Sequence, residues 1–203
     1  MFKNTIWKTR LHWLYVKAKI KKSLFKPPKA NTISGHLNLL EGISLQGIVS
    51  KLPQGSCVVE IGSYLGRSSA FICEALPEKS QLVCIDIWEN DTMKPKRQKD
   101  AFLKFKKNMA GYENKYTAIR GKSNEVVCTW QRPIDLLWID GDHSYEACLS
   151  DLTRWFPHLK QGCWIVVHDY LHPCGVDRAV KEYLSDKISE YFFVKSTFYG
   201  RKS

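Results

Sequence analysis

Four near-continuous apolar runs, at 57–62, 81–88, 134–140 and 163–167, punctuate this 203-residue chain. Between them lie segments whose apolar residues recur every three to four positions. A strand buried on one face alternates apolar and polar residues, whereas a strand buried on both faces does not. Such runs separated by helices predict βαβ units and a parallel sheet covered on both faces. Helices are expected at 34–52, 68–76, 94–109, 123–128, 144–159 and 176–184, with further short strands at 116–120 and 191–194. The period is clearest in 144–159, where Tyr145, Cys148, Leu149, Leu152, Phe156 and Leu159 share one side. One α/β domain is expected over 30–203, within the usual size of about 100–200 residues.

Residues 1–29 differ from the rest. They carry nine Lys and Arg and no acid, which leaves 22 bases against 20 acids in the remainder. The formal net charge of +11 therefore belongs mostly to an arm. A nearly neutral body does not support pervasive nucleic-acid binding. The arm reads as a helix stopped by Pro27-Pro28. Its apolar residues form two stripes: Trp7, Leu11, Leu14, Ala18 and Phe25, then Ile6, Trp13, Ile20 and Leu24. Two stripes suit a helix packed between its own body and a second protomer, as in a homo-oligomer. A membrane-surface helix would segregate one apolar face. Peripheral lipid contact and nucleic-acid contact stay open as alternatives for the arm. No run approaches the roughly 18 apolar residues that span a bilayer. The basic N-terminus lacks a secretory apolar core, so no export is expected. The seven cysteines form no C-x-x-C pair. They read as buried small hydrophobes in a reducing cytoplasm rather than as a disulfide or metal framework.

Ligands of parallel sheets bind beyond the C-terminal ends of the strands, where the strand order reverses. After the first run stands Glu60-Ile61-Gly62-Ser63-Tyr64-Leu65-Gly66-Arg67-Ser68-Ser69. Gly62 and Gly66 allow a tight turn, and Ser68 or Ser69 can cap the next helix. The spacing is G-x-x-x-G, not the G-x-G-x-x-G of a dinucleotide site. Glu60 inside the strand suits a cationic or amine-bearing ligand. Asp86, at the end of the second strand, suits the vicinal hydroxyls of a ribose, with Trp88 placed to cover an adenine face. Asp140, Asp142 and His143 put three ionisable groups at the next strand end. Asp140 and Asp169 follow neighbouring strands, so their carboxylates converge, and two carboxylates suit a hard cation such as magnesium. His168 suits it less.

Glu60-x-Gly62-x-x-x-Gly66-x-Ser68, Asp86, Ile139-Asp140-Gly141-Asp142-His143-Ser144-Tyr145-Glu146, His168-Asp169-Tyr170 and Gly175-Val176-x-x-Ala179-Val180 together resemble the class I S-adenosylmethionine-dependent methyltransferases. More narrowly, the chain is similar over about 34–185 to the small-molecule family that includes macrolide and aminocoumarin sugar O-methyltransferases. The resemblance implies a Rossmann-like, mostly parallel seven-stranded sheet that ends in an antiparallel hairpin. The candidate hairpin, 190–201, is short, so a truncated last strand is expected. The implied cofactor is S-adenosylmethionine. Glu60, Gly62 and Ser63 would line its methionine, with Gly66 and Ser68 in the same turn. Asp86 would hold the ribose, Ser123 would sit near the adenine, and Asp140 would lie beside the sulfonium or a metal. Magnesium would fall to Asp140 and Asp169. In the metal-dependent sugar enzymes two consecutive aspartates stand where this chain has His168-Asp169. The implied acceptor is a small-molecule or saccharide hydroxyl, with His143 or Asp142 as base. Two other classes stay open: a nucleic-acid methyltransferase using the arm and the basic 94–107 segment, and a non-catalytic nucleoside-binding module. The glycine spacing argues against a nicotinamide oxidoreductase.

Overall fold

The computed structural model describes residues 28–89, 101–171 and 175–203. Nearly all of the arm, the first part of the expected 94–109 helix and the middle of the 171–175 loop lie outside the described residues. Seven strands form one sheet: β1 (Cys57–Ile61), β2 (Gln81–Asp86), β3 (Tyr116–Arg120), β4 (Ile134–Ile139), β5 (Leu159–Val167), β6 (Ile188–Val194) and β7 (Thr197–Lys202). Their order across the sheet is β3-β2-β1-β4-β5-β7-β6. The first five are parallel, and β7 runs antiparallel to β5 and β6. Among the described residues, six α-helices accompany them: α1 (Leu39–Val49), α2 (Arg67–Ala75), α3 (Ala101–Asn108), α4 (Ser123–Val126), α5 (Tyr145–Trp155) and α6 (Val176–Leu184).

The central strands bury both faces, as their unbroken apolar runs require. Val58, Leu82, Leu136 and Trp138 pack into one core layer. Val59, Ile61, Ile85, Leu137 and Ile139 pack into the other. The chain steps outward from β1 to β3, then crosses back to place β4 on the other side of β1. The strand order reverses between β1 and β4, and their ends frame the crevice.

The last strand is not truncated. β7 has six residues and inserts between β5 and β6. Phe198 and Tyr199 are fully buried and enter opposite core layers. Their burial draws the short segment into the sheet, an effect that strand length does not report. β5 also begins earlier than expected. A register shift lies between the pairings Ile134–Leu159 and Leu136–Trp164. The polar stretch Lys160-Gln161-Gly162 within it hides the strand's start.

Helix α1 begins at Leu39 rather than 34, because Asn38 and Glu41 form a reciprocal capping box. Residues 41–49 are all buried, so the helix lies inside the protein rather than on it. The Glu41 carboxylate also accepts from the Ser196 amide, the Ser196 hydroxyl and the Thr197 hydroxyl. It thereby ties α1 to the β6–β7 turn. Upstream, the Arg67 guanidinium donates to the carbonyls of Asn31, Ile33 and Leu37 and holds this segment against α2. None of the six described cysteines is in a disulfide, and Cys57, Cys73, Cys84 and Cys148 are buried. Cys174 lies outside the described residues. Among the described residues no helix is long and apolar enough to cross a membrane.

The contact between α1 and α2 is close. A Cβ on Gly42 would stand 2.6 Å from the ring of Phe71, which is itself fully buried. Gly42→Ala should therefore lower stability by about 1–3 kcal/mol, the usual cost of overpacking. Chemical denaturation checks this. An unchanged midpoint would mean that the Phe71 ring has room to move.

Candidate active site

The turn after β1 is built by a buried acid. Glu60 is wholly inaccessible and accepts from the hydroxyls of Ser63 (2.7 Å), Ser68 (2.5 Å) and Ser69. Burial pushes its pKa up to about 7, against the opposing pull of the serine hydrogen bonds. Glu60 thus buckles the turn to the start of α2. Gly62 has φ +84°, and a Cβ there would lie 2.0 Å from the Asp140 carbonyl oxygen. Only glycine permits that approach. Gly66, at φ +87°, opens α2.

The turn is locked to β2 through Asp86. Its Oδ2 accepts from the amides of Ser63 (2.9 Å) and Tyr64 (2.7 Å), and its Oδ1 from the amide of Trp88 (2.7 Å). A cavity of about 380 Å³ opens beside it, within the roughly 300–1,000 Å³ range of small-molecule sites. Of the residues expected at the cofactor, Gly62, Asp86, Trp88, Ser123 and Asp140 line this cavity, as does Asp142. Glu60, Ser63, Gly66 and Ser68 stand outside the lining and shape the turn instead. Trp88 does not match the adenine cover expected of it. It is 2% exposed, its ring packs on Phe102 and Phe105, and its indole N–H donates to the Tyr64 carbonyl. The exposed apolar side chain there is Ile87, one position earlier.

The ends of β4 and β5 carry a second cluster. His143 Nε2 lies 3.5 Å from Asp140 Oδ1 and 3.3 Å from Asp169 Oδ2. His168 Nδ1 lies 3.1 Å and 3.3 Å from the same two oxygens. On its far side, His168 Nε2 stands 3.6 Å from Glu41 Oε2. Burial would lower the His168 pKa. The Asp140 charge, hydrogen bonds to Asp140 and Asp169, and the nearby Glu41 carboxylate overcome burial and push it up to about 12. The His168 ring is stacked on Trp138 at 5.8 Å. His143 is also raised, chiefly by its hydrogen bond to Asp140. Asp142 Oδ1 accepts from the Ser144 amide at 2.7 Å, at the start of α5.

Asp140 and Asp169 do converge, and with His143 they offer donor atoms within 4.8 Å of one another. The set does not fit magnesium. Magnesium takes oxygen ligands in a near-ideal octahedron. Here an imidazole is the third donor, and the His168 ring nitrogen already lies against both carboxylates.

Sequence reasoning did not single out Glu41, Tyr64, Ile87 or Asp151, all of which border these clusters. Asp151 and Glu41 interrupt otherwise apolar helix faces, and that was the available signal.

A glycine turn after β1, an acid at the end of β2 and a crevice at the strand-order reversal define a nucleoside-binding, doubly wound α/β fold. A family model described as a methyltransferase domain matches residues 59–170, more than half of the chain. The chain belongs to that family and is an S-adenosylmethionine-dependent methyltransferase. Solved structures share the fold. An O-methyltransferase from Bacillus cereus, in complex with S-adenosylhomocysteine, superposes with TM-score 0.63 at 13% identity, covering 92% of this chain and 90% of that one. A TDP-rhamnose 3'-O-methyltransferase of calicheamicin biosynthesis gives TM-score 0.61 at 15% identity over 98% and 96%. A candidate rRNA methylase from Clostridium thermocellum gives TM-score 0.61 at 19% identity over 84% and 100%. The chain is also 36% identical over 45 residues to the uncharacterized protein R132 of Acanthamoeba polyphaga mimivirus. That match spans 22% of this chain and about a fifth of the viral protein's length.

The raised pKa of Glu60 has a thermodynamic consequence. A carboxyl whose folded pKa is about 7 binds its proton more tightly folded than unfolded. Its contribution to stability therefore falls as pH rises from about 4.5 to about 7. Glu60→Gln should remove that part of the slope, read as denaturation midpoints at pH 5 and pH 7.5. Identical slopes in both proteins would contradict the assignment.

Proposed function

We propose that this methyltransferase acts on a hydroxyl of a small molecule or sugar, with His143 as the base. The observation that carries the proposal is the position of His143. It stands outside the cavity lining but against two carboxylates at the ends of β4 and β5, one of which, Asp140, lines the cavity with Asp86. Bound S-adenosylmethionine supplies the electrophilic methyl group. The chain's part is to hold cofactor and acceptor in line, keep water out and take the acceptor's proton. In the neutral His143 ring, the proton on Nε2 is the one that Asp140 and Asp169 stabilise. Nδ1 then keeps its lone pair for the acceptor hydroxyl. The same carboxylates make the ring a stronger base, because they favour its protonated form. Asp142 is the second candidate base, from its place on the cavity wall. The fold likeness to the TDP-rhamnose enzyme supports a saccharide acceptor. Gly62, Asp86, Ser123 and Asp140 border the cofactor's place, with Glu60, Ser63, Gly66 and Ser68 holding the turn beneath it. No step depends on magnesium, since the donors do not suit it. We assign the basic arm, 1–29, to packing against a second protomer and the enzyme to the cytoplasm, on the arm's two apolar stripes and the cysteine pattern.

His143→Ala should lower turnover roughly 10²–10⁴-fold, the usual weight of a general base. Its affinity for S-adenosylhomocysteine should stay unchanged. Retained turnover would move the proton to Asp142. Label from S-adenosylmethionine should enter sugar nucleotides or other hydroxyl acceptors. Incorporation into RNA instead would overturn the acceptor class. Chelator-treated enzyme should keep its activity. Loss on chelation, restored by magnesium, would contradict the reading of the carboxylate–imidazole cluster.

A further inference from the structure

The chemistry above gives His168 no task. It is 3% exposed and follows directly on the last residue of β5. Its main chain is fixed. The His168 amide donates to the Ile139 carbonyl at 3.0 Å, which continues the pairing of β4 with β5. Asp169 is left-handed at φ +53°, and beyond it the Tyr170 amide donates to the Ser196 carbonyl at 2.7 Å. A residue with a side chain keeps such a conformation where its neighbours hold it there. The ring is fixed as well. It stacks on Trp138, and its Nε2 faces Glu41 Oε2 at 3.6 Å. Glu41 is itself held by the Asn38 amide and by the hydroxyls of Ser196 and Thr197. Nδ1 is thereby aimed between Asp140 Oδ1 and Asp169 Oδ2, at 3.1 Å and 3.3 Å. Ionised carboxylate oxygens only accept, so Nδ1 between two of them carries a proton.

We propose that His168 is a positioning residue that fills the place a divalent cation would take between two carboxylates, so that Asp140 and Asp169 meet His143 without a metal. Two carboxylate oxygens brought to one point repel unless a proton, a cation or a donor stands between them. The Nδ1–H of His168 supplies that donor from inside the protein, on a ring held from three sides. The same two oxygens then stand 3.5 Å and 3.3 Å from His143 Nε2. Each oxygen thus faces a buried ring on one side and an exposed ring on the other. The cluster that cannot suit magnesium is, on this reading, complete as it stands. The effect of His168 on turnover rests on the reading of His143 as the base; its filling of the cation's place does not.

Calorimetric titration of the full chain with magnesium chloride and with zinc chloride tests this. The wild-type protein should show no one-to-one binding that Asp169→Asn abolishes. His168→Asp removes the N–H and adds a third carboxylate to the cluster, so that protein should bind magnesium one-to-one. Wild-type binding of either ion that Asp169→Asn abolishes would overturn the proposal. So would a folded His168→Asp protein that binds no magnesium. Turnover separates positioning from packing. His168→Asn keeps one N–H near the place of Nδ1 and should stay close to wild type. His168→Leu should fall roughly 10²-fold, the usual cost of misplacing a reacting group by about 1 Å. Equal losses in the two folded variants would overturn the positioning role. If His143→Ala keeps its turnover while the metal titrations come out as expected, the base assignment fails and the place of His168 stands.

Discussion

The close approach of Gly62 to the main chain of Asp140 fixes the geometry of the whole crevice. The two residues end adjacent parallel strands at the point where the strand order reverses. With no side chain on Gly62, the turn after β1 lies flat against the β4 end, and the Asp140 amide donates to the Ile61 carbonyl at 2.8 Å. The turn then points its Ser63 and Tyr64 amides at Asp86. One steric permission thus sets the place of the β2 acid, of the cavity beside it and of the carboxylate that faces His143. Buried Glu60 holds the turn from below with three serine hydroxyls, so the turn is pinned on two sides.

A second buried acid ties the site to the outer part of the fold. Glu41 lies in α1, upstream of the segment that matches the family model. It faces the β6–β7 turn through Ser196 and Thr197, and His168 through its other oxygen. His168 in turn lies against Asp140 and Asp169. The cluster at the strand ends therefore alternates acid and base from the protein interior to the exposed His143. Each buried charge has an opposite neighbour, which is the condition under which such groups persist away from water. Burial works against a charge on His168, and it is the surrounding carboxylates, Asp140 first, that push its pKa up.

Much of this was legible in the residue pattern. The strand at 116–120 and the helix at 176–184 are read to the residue, because sharp changes of polarity bound both. The parallel central strands followed from unbroken apolar runs, and Asp86, Asp140 and His143 from their places just after those runs. The rest depended on tertiary packing. β7 forms because Phe198 and Tyr199 enter opposite core layers, and nothing local marks a six-residue strand there. Trp88 read as a ligand cover because an aromatic follows an acidic strand end. Its actual neighbours, Phe102 and Phe105, come from a helix whose placement no local pattern gives. Asp151 carried a signal that could have been used: a lone acid beside Leu152 on a core-facing stripe needs a partner.

The crystal structure of the chain with S-adenosylhomocysteine tests the central claim most directly. The account places the ribose against Asp86, the base toward Ser123 and the sulfur toward His143. Density for the ligand outside the crevice bounded by Gly62 and Asp86, or in it with the base turned toward His143, would contradict the account.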